Sequence, residues 1–146
     1  LNEGLKIEQL CVYASVNLDN AIIKKLSSKI IDYEKNIKNE NLLVIDLKPY
    51  FPSLLEHNLE PFEEIKKSIL SILSKRTEKH VRFYGDLVSY LFENNYFEES
   101  VLLEEWWQDN PFEGTKICPY NSSILDAAPL EQKNKLINSH DKIILC

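Results

Sequence analysis

Apolar residues fall along this chain in two spacings. LCVYAS (10–15), LLVIDL (42–47) and VRFY (81–84) are short runs rich in β-branched and aromatic residues, and they read as strands. LLVIDL is the strongest of them, because an unbroken apolar run suits a strand covered on both faces. Between these runs the spacing changes to that of a helix. Ile22, Ile23, Leu26, Ile30 and Tyr33 share one helical face, while Lys24, Lys25, Lys29 and Glu34 lie elsewhere. Asn17 or Asp19 would cap that helix, and KNEN (38–41) would end it. KPYFPSLLEHNLEP (48–61) carries three prolines and reads as a loop leading to Pro61 in the first turn of a helix. That helix buries Phe62, Ile65, Ile69, Ile72 and Leu73.

In the second half, Leu87, Val88, Leu91 and Phe92 start a helix directly after Gly85-Asp86, and Asn94-Asn95 break it. A further helix carries Leu102, Leu103, Trp106 and Trp107. Thr115 to Tyr120 reads as a strand that ends, or lies at an edge, at Pro119. NSSILDAAP is a short turn or helix, Leu130 to Ser139 a polar-rich helix, and KIILC (142–146) a final strand. Strands alternating with helices in this way predict a three-layer α/β sandwich with a mainly parallel sheet. No repeat or linker divides the chain, so residues 1–146 are expected to form a single domain.

Composition narrows the function classes. A length of 146 residues supports a core without covalent staples. A net charge of −6 disfavours a surface that tracks phosphates. The three cysteines, Cys11, Cys118 and Cys146, are odd in number and form no C-x-x-C, so reduced thiols in a cytoplasmic protein are expected. No run is long enough to span a membrane and no signal peptide opens the chain. The chain begins with Leu1 and contains no methionine, which reads as a fragment, an excised domain or a processed chain.

The junction VRFYGDLV holds the first candidate site. In open α/β sheets, ligands bind outside the carboxyl ends of the strands. Gly85 there allows a sharp turn or a closely approaching ligand. Asp86 either accepts hydrogen bonds from a ligand or caps the helix that follows. Asp46 ends a strand in the same way, as in Mg²⁺-nucleotide sites. Such a site also needs a phosphate loop, and neither G-x-x-x-x-G-K-[ST] nor G-x-G-x-x-G occurs. Glu104-Glu105-Trp106-Trp107 sets carboxylates beside indoles. Adjacent helical residues point about 100° apart, so the two acids are not a matched pair; one Trp is expected in the core, the other at its rim, and at least one Glu in solvent. Cys118 and His140 could meet in the fold as a nucleophile–base or metal-ligand pair, but a lone Cys on an apolar strand is more often inert core. His57 and His80 have no ligand spacing. No metal ligand and no cofactor is assigned.

From residue 81 the order VRFYGDLV, LLEEWW, PF, ICPY, SHDKI resembles the MEDS domain family (methanogen/methylotroph, DcmR-type sensory domain). Gly85 falls on the family glycine and Asp86 on its acidic position, usually Glu. Leu103, Glu104 and Trp106 fall on its Leu-Glu-x-x-Trp pattern after one shift, Cys118 and Tyr120 on its late strand, and His140 on its late His. LNEGLKIEQLCVYAS and LLVIDLKPYF are collinear with the family's earlier half, and Tyr50 falls on an aromatic position. Two features depart from the pattern. The family's first strand and most of its first helix do not precede Leu1, and Asp86 is one methylene shorter than the usual acid.

The resemblance implies a RecA/KaiC-like fold without a phosphate loop. It also implies a non-catalytic sensory domain for hydrocarbon derivatives or one-carbon compounds, alone or joined to a histidine kinase or DNA-binding output domain. The ligand-binding residues expected are Asp46, Tyr50, Arg82, Gly85, Asp86 and Tyr120, with Trp106 and Cys118 as supports. The rival readings are a KaiC/RecA-like nucleotide-binding domain and an interaction or homodimerisation module using Tyr96, Phe97 and Trp107. Direct nucleic-acid binding and membrane association are not expected.

Overall fold

A computed structural model describes residues 1–109 and 113–140. Among the described residues, four strands form one sheet in the order β2-β1-β3-β4, with β1 at Leu10–Ser15, β2 at Leu42–Asp46, β3 at Val81–Gly85 and β4 at Gly114–Ile117. Every neighbouring pair is parallel, which makes the architecture α/β, with helices flanking both sheet faces. The run expected at 142–146 lies outside the described residues. β4 stops at Ile117, two residues short of Pro119, whose missing N–H cannot serve a ladder.

The strand period of two divides the core. Leu10, Val12, Ala14, Val81 and Phe83 face one layer, built from α4 (Phe51–Leu55), α5 (Glu60–Ser74), α6 (Leu87–Glu93), α7 (Phe97–Gln108) and, beyond the short α8 (Ser122–Ala127), α9 (Leu130–Asn138). Leu54, Phe62, Ile69, Leu73, Leu91, Phe92, Leu103 and Leu136 close that core. On the opposite face Cys11 and Leu42 pack under Leu5 of α1 (Asn2–Lys6), with Ile30, Tyr33 and Ile37 around them.

Two expected elements differ. The helix expected from Asp19 to the KNEN cluster is divided into α2 (Asn20–Lys29) and α3 (Tyr33–Lys38). Asp19 does cap α2, accepting from Ile22 N–H at 2.8 Å. The break is held by Asn2 of α1, whose amide donates to Lys29 C=O at 2.9 Å and whose carbonyl accepts Ile31 N–H at 3.0 Å. Those backbone groups are thereby satisfied outside the helix ladder, and Asp32 turns the chain through a left-handed conformation (φ 46°). The proline-rich stretch expected as a loop instead winds into a 3₁₀ turn at Lys48–Tyr50 and then α4. Pro49 and Pro52 sit in first turns, where a missing N–H costs no helical hydrogen bond.

The topology fixes where a site can lie. The chain leaves β1 for one sheet edge through α2 and α3, and leaves β3 for the other edge through α6 and α7. β1 and β3 are adjacent, so their carboxyl ends flank the point where the winding reverses. Among the described residues, no helix is long and apolar enough to cross a membrane.

Candidate functional site

The carboxyl ends of the strands bring three features together. The first is a clamp at the reversal point. Asp86 does not cap α6 through its side chain. Its carboxylate reaches across to the end of β1, accepting Ser15 O–H at 2.5 Å and Val16 N–H at 2.9 Å. Ser15 is 2% exposed, and its Oγ in turn accepts Asn17 N–H at 3.1 Å. The Asp86 side chain therefore ties the β3–α6 corner to the turn that leaves β1. Gly85 has no positive φ. The requirement there is space, because a Cβ would lie 2.7 Å from Cε1 of Phe83.

The second feature is an apolar cavity of about 50 Å³ beneath those strand ends. Ala14, Ile45, Phe83 and Gly85 come from the sheet, Phe62 and Ile65 from α5, and Leu103, Trp106 and Trp107 from α7. Leu87 and Val88, the first residues of α6, complete the apolar wall, and Lys116 and Cys118 supply its polar edge. Trp107 packs on Phe83 with ring centroids 4.2 Å apart. Trp106 lies edge-on to Phe62 at 5.8 Å and donates Nε1–H to Glu63 at 2.5 Å.

The third is a polar cluster against that edge. Glu104 is 2% exposed, so the acid of the doublet turned to solvent is Glu105. Lys116 Nζ donates to Glu104 Oε2 at 2.5 Å, and Tyr120 O–H donates to Oε1 at 3.2 Å. His140 Nε2 lies 3.6 Å from the same Oε1 and makes no hydrogen bond. Burial pushes the Cys118 thiol up to about 12; the Lys116 ammonium opposes this and the Glu104 charge adds to it. The Tyr120 hydroxyl is also pushed up, by burial first and then by Glu104.

The residues expected at the site are thus divided. Gly85, Trp106 and Cys118 line the cavity, Tyr120 belongs to the adjoining cluster, and Asp86 forms the clamp beside it. Three others lie elsewhere. Asp46 is exposed and accepts Lys48 N–H at 3.0 Å within its own turn. Tyr50 packs against Phe62 with centroids 5.8 Å apart. Arg82 is in register with Cys11 on the opposite sheet face, donating to Gln9 at 2.6 Å. Glu104 and Lys116 were not anticipated as a pair. Their signal was present: Glu104 lies three residues after Val101, inside the buried stripe of α7, and Lys116, Cys118 and Tyr120 follow a period of two.

Comparison with known proteins gives no match to any family model, any curated protein or any solved structure.

Proposed function

We propose that this chain is a non-catalytic sensory domain for a small apolar molecule, a hydrocarbon derivative or one-carbon compound, which acts through an output domain such as a histidine kinase or a DNA-binding regulator. The observation that carries this reading is the cavity at the reversal point of the sheet, with apolar walls and one polar edge. Its volume of about 50 Å³ suits a ligand of a few heavy atoms. A dry cavity of about 150 Å³ holds benzene, and pockets for drug-sized ligands reach ~300–1,000 Å³. A nucleotide is too large for it. The interaction reading has less support, because Phe51 packs on Tyr96, Phe92 on Phe97 and Phe83 on Trp107.

A ligand transmits a signal only by preferring one conformation of the protein. Leu87 and Val88 connect the cavity wall to α6, so occupancy bears directly on how that helix seats. The test is thermal unfolding in the presence of small halogenated, methylated and unsubstituted hydrocarbons. At a hundred times its Kd a ligand adds about 2.7 kcal/mol. At ~2–4 °C per kcal/mol for a chain of this size, Tm rises by about 5–10 °C. Ala14→Leu, which fills the cavity floor, should abolish the rise. A rise that survives Ala14→Leu, or a panel without any stabilising compound, refutes the reading.

A further inference from the structure

We propose that Glu104, Cys118 and His140 form a binding site for a divalent transition metal, with zinc as the best match to the donor set. Their ligand atoms all lie within 4.8 Å of one another, and the three residues come from α7, the segment after β4 and the segment after α9. This proposal stands independently of the sensory reading.

The argument rests on how His140 is held. Its Nδ1 lies 2.8 Å from Leu136 C=O and 3.0 Å from Ser139 Oγ. A carbonyl only accepts, so Nδ1 donates to it, and Nε2 is thereby turned toward Glu104 Oε1 at 3.6 Å. Among the described residues Nε2 is the only buried side-chain polar atom without a hydrogen-bond partner. An unbonded ring nitrogen facing a buried carboxylate oxygen is a pair that a bound cation would join. A carbonyl on the far nitrogen is also the arrangement that orients a metal-binding histidine.

The donor set fits zinc chemically. Thiolate sulfur, imidazole nitrogen and carboxylate oxygen are its usual ligands, and three from the protein leave a fourth position for water or an added ligand. Tetrahedral ligands at zinc stand about 3.4 Å apart, so pairs up to 4.8 Å apart must draw in by as much as about 1.4 Å. Binding replaces the Cys118 S–H bond with an S–metal bond and releases one proton to solvent. His140 contributes its free lone pair and Glu104 its Oε1, while Oε2 keeps Lys116. The two anionic ligands neutralise the dication. On the solvent side, Glu104 and Ser139 border a groove of about 270 Å³ between α7 and α9.

Titrating the metal-free full chain with Co²⁺ tests the proposal. One equivalent should produce thiolate-to-metal charge-transfer absorption and the intense visible bands of a tetrahedral site, release one proton, and be displaced by Zn²⁺. Cys118→Ser, nearly isosteric, should abolish the charge-transfer band. His140→Ala and Glu104→Gln should weaken binding by more than the ~10–100-fold typical of losing an outer partner. Cys11→Ser and Cys146→Ser should leave the spectrum unchanged. Lys116→Met, which removes a competing cation, should tighten binding, and Zn²⁺ should raise its Tm more than that of the unmodified chain. A weak octahedral spectrum indifferent to Cys118→Ser, or a charge-transfer band lost in Cys11→Ser or Cys146→Ser, overturns the assignment. Circular dichroism of each variant separates lost binding from lost folding, and Cys118→Ser alone decides the outcome if Glu104→Gln does not fold.

Discussion

Replacing Asp86 with alanine distinguishes the clamp from the helix cap, one of the two roles the sequence allowed it. A lost N-cap costs about 1 kcal/mol. The structure predicts more, because Asp86 accepts two hydrogen bonds as a charged group, from Ser15 O–H and Val16 N–H. Bonds to charged groups contribute roughly 1.5–3 kcal/mol each, and an orphaned buried donor costs ~1–3 kcal/mol. Ser15 is 2% exposed and cannot turn to water, whereas the β1–α2 turn can relax in part. We therefore expect Asp86→Ala to lose about 3 kcal/mol in urea unfolding, or ~6–12 °C in Tm. Ser15→Ala should lose about 2 kcal/mol, since it removes the bond to Asp86 and the one from Asn17 N–H but leaves the carboxylate its contact with Val16. The double variant should cost less than the sum, with a coupling of ~1 kcal/mol, because both substitutions delete the same bond. A loss near 1 kcal/mol for Asp86→Ala, additive with Ser15→Ala, would refute the clamp.

Three further outcomes follow from the same geometry. Gly114→Ala should weaken the β3–β4 pairing by ~1–3 kcal/mol, because the added Cβ would meet Val81 carbonyl oxygen at 2.5 Å and backbone cannot move aside; hydrogen exchange at Val81 and Phe83, whose amides face β4, would report it. Above pH 10 stability should fall. The Tyr84 hydroxyl is pushed up to about 12, by burial first and then by Tyr13 and Asp86, so the native state keeps a proton that the unfolded chain loses. That stability is complete below pH 10 and disappears through pH 12; Tyr84→Phe should flatten the fall in Tm over that range. At pH 8 the native Cys118 thiol should resist iodoacetamide and react on unfolding in urea, as peptide mapping would show, because it stays protonated to about pH 12.

Local chemistry made the elements legible. Period-two and helical spacings are properties of a few consecutive residues, so β1 was expected at 10–15 and is found there, whereas β3, expected to open at Lys79 or His80 and to end at Tyr84, runs Val81–Gly85. The α/β class and the parallel sheet follow from the alternation of those elements. The split between α2 and α3 was not legible, since the two hydrogen bonds that hold it come from Asn2, 27 and 29 residues away. Site residues divide along the same line. Gly85 was recognisable from its strand end, whereas Trp106 and Cys118 were expected at the site only through the resemblance; the three meet at the cavity. Arg82 was not separable from them, because the face of a strand that meets the functional layer is decided only when the helices pack.

Side-chain shape and polarity over short stretches set most of the strands and helices and placed Gly85 and Asp86 at the end of β3, but not the helical winding of 48–55 or the break between α2 and α3. Packing chose the partners: Asp86 with Ser15, Glu104 with Lys116, and the His140 ring with the Glu104 carboxylate. These pairs join residues 12 to 71 positions apart. Their energy comes from desolvation and charge within a packed interior, and that interior exists only once the sheet has ordered its strands.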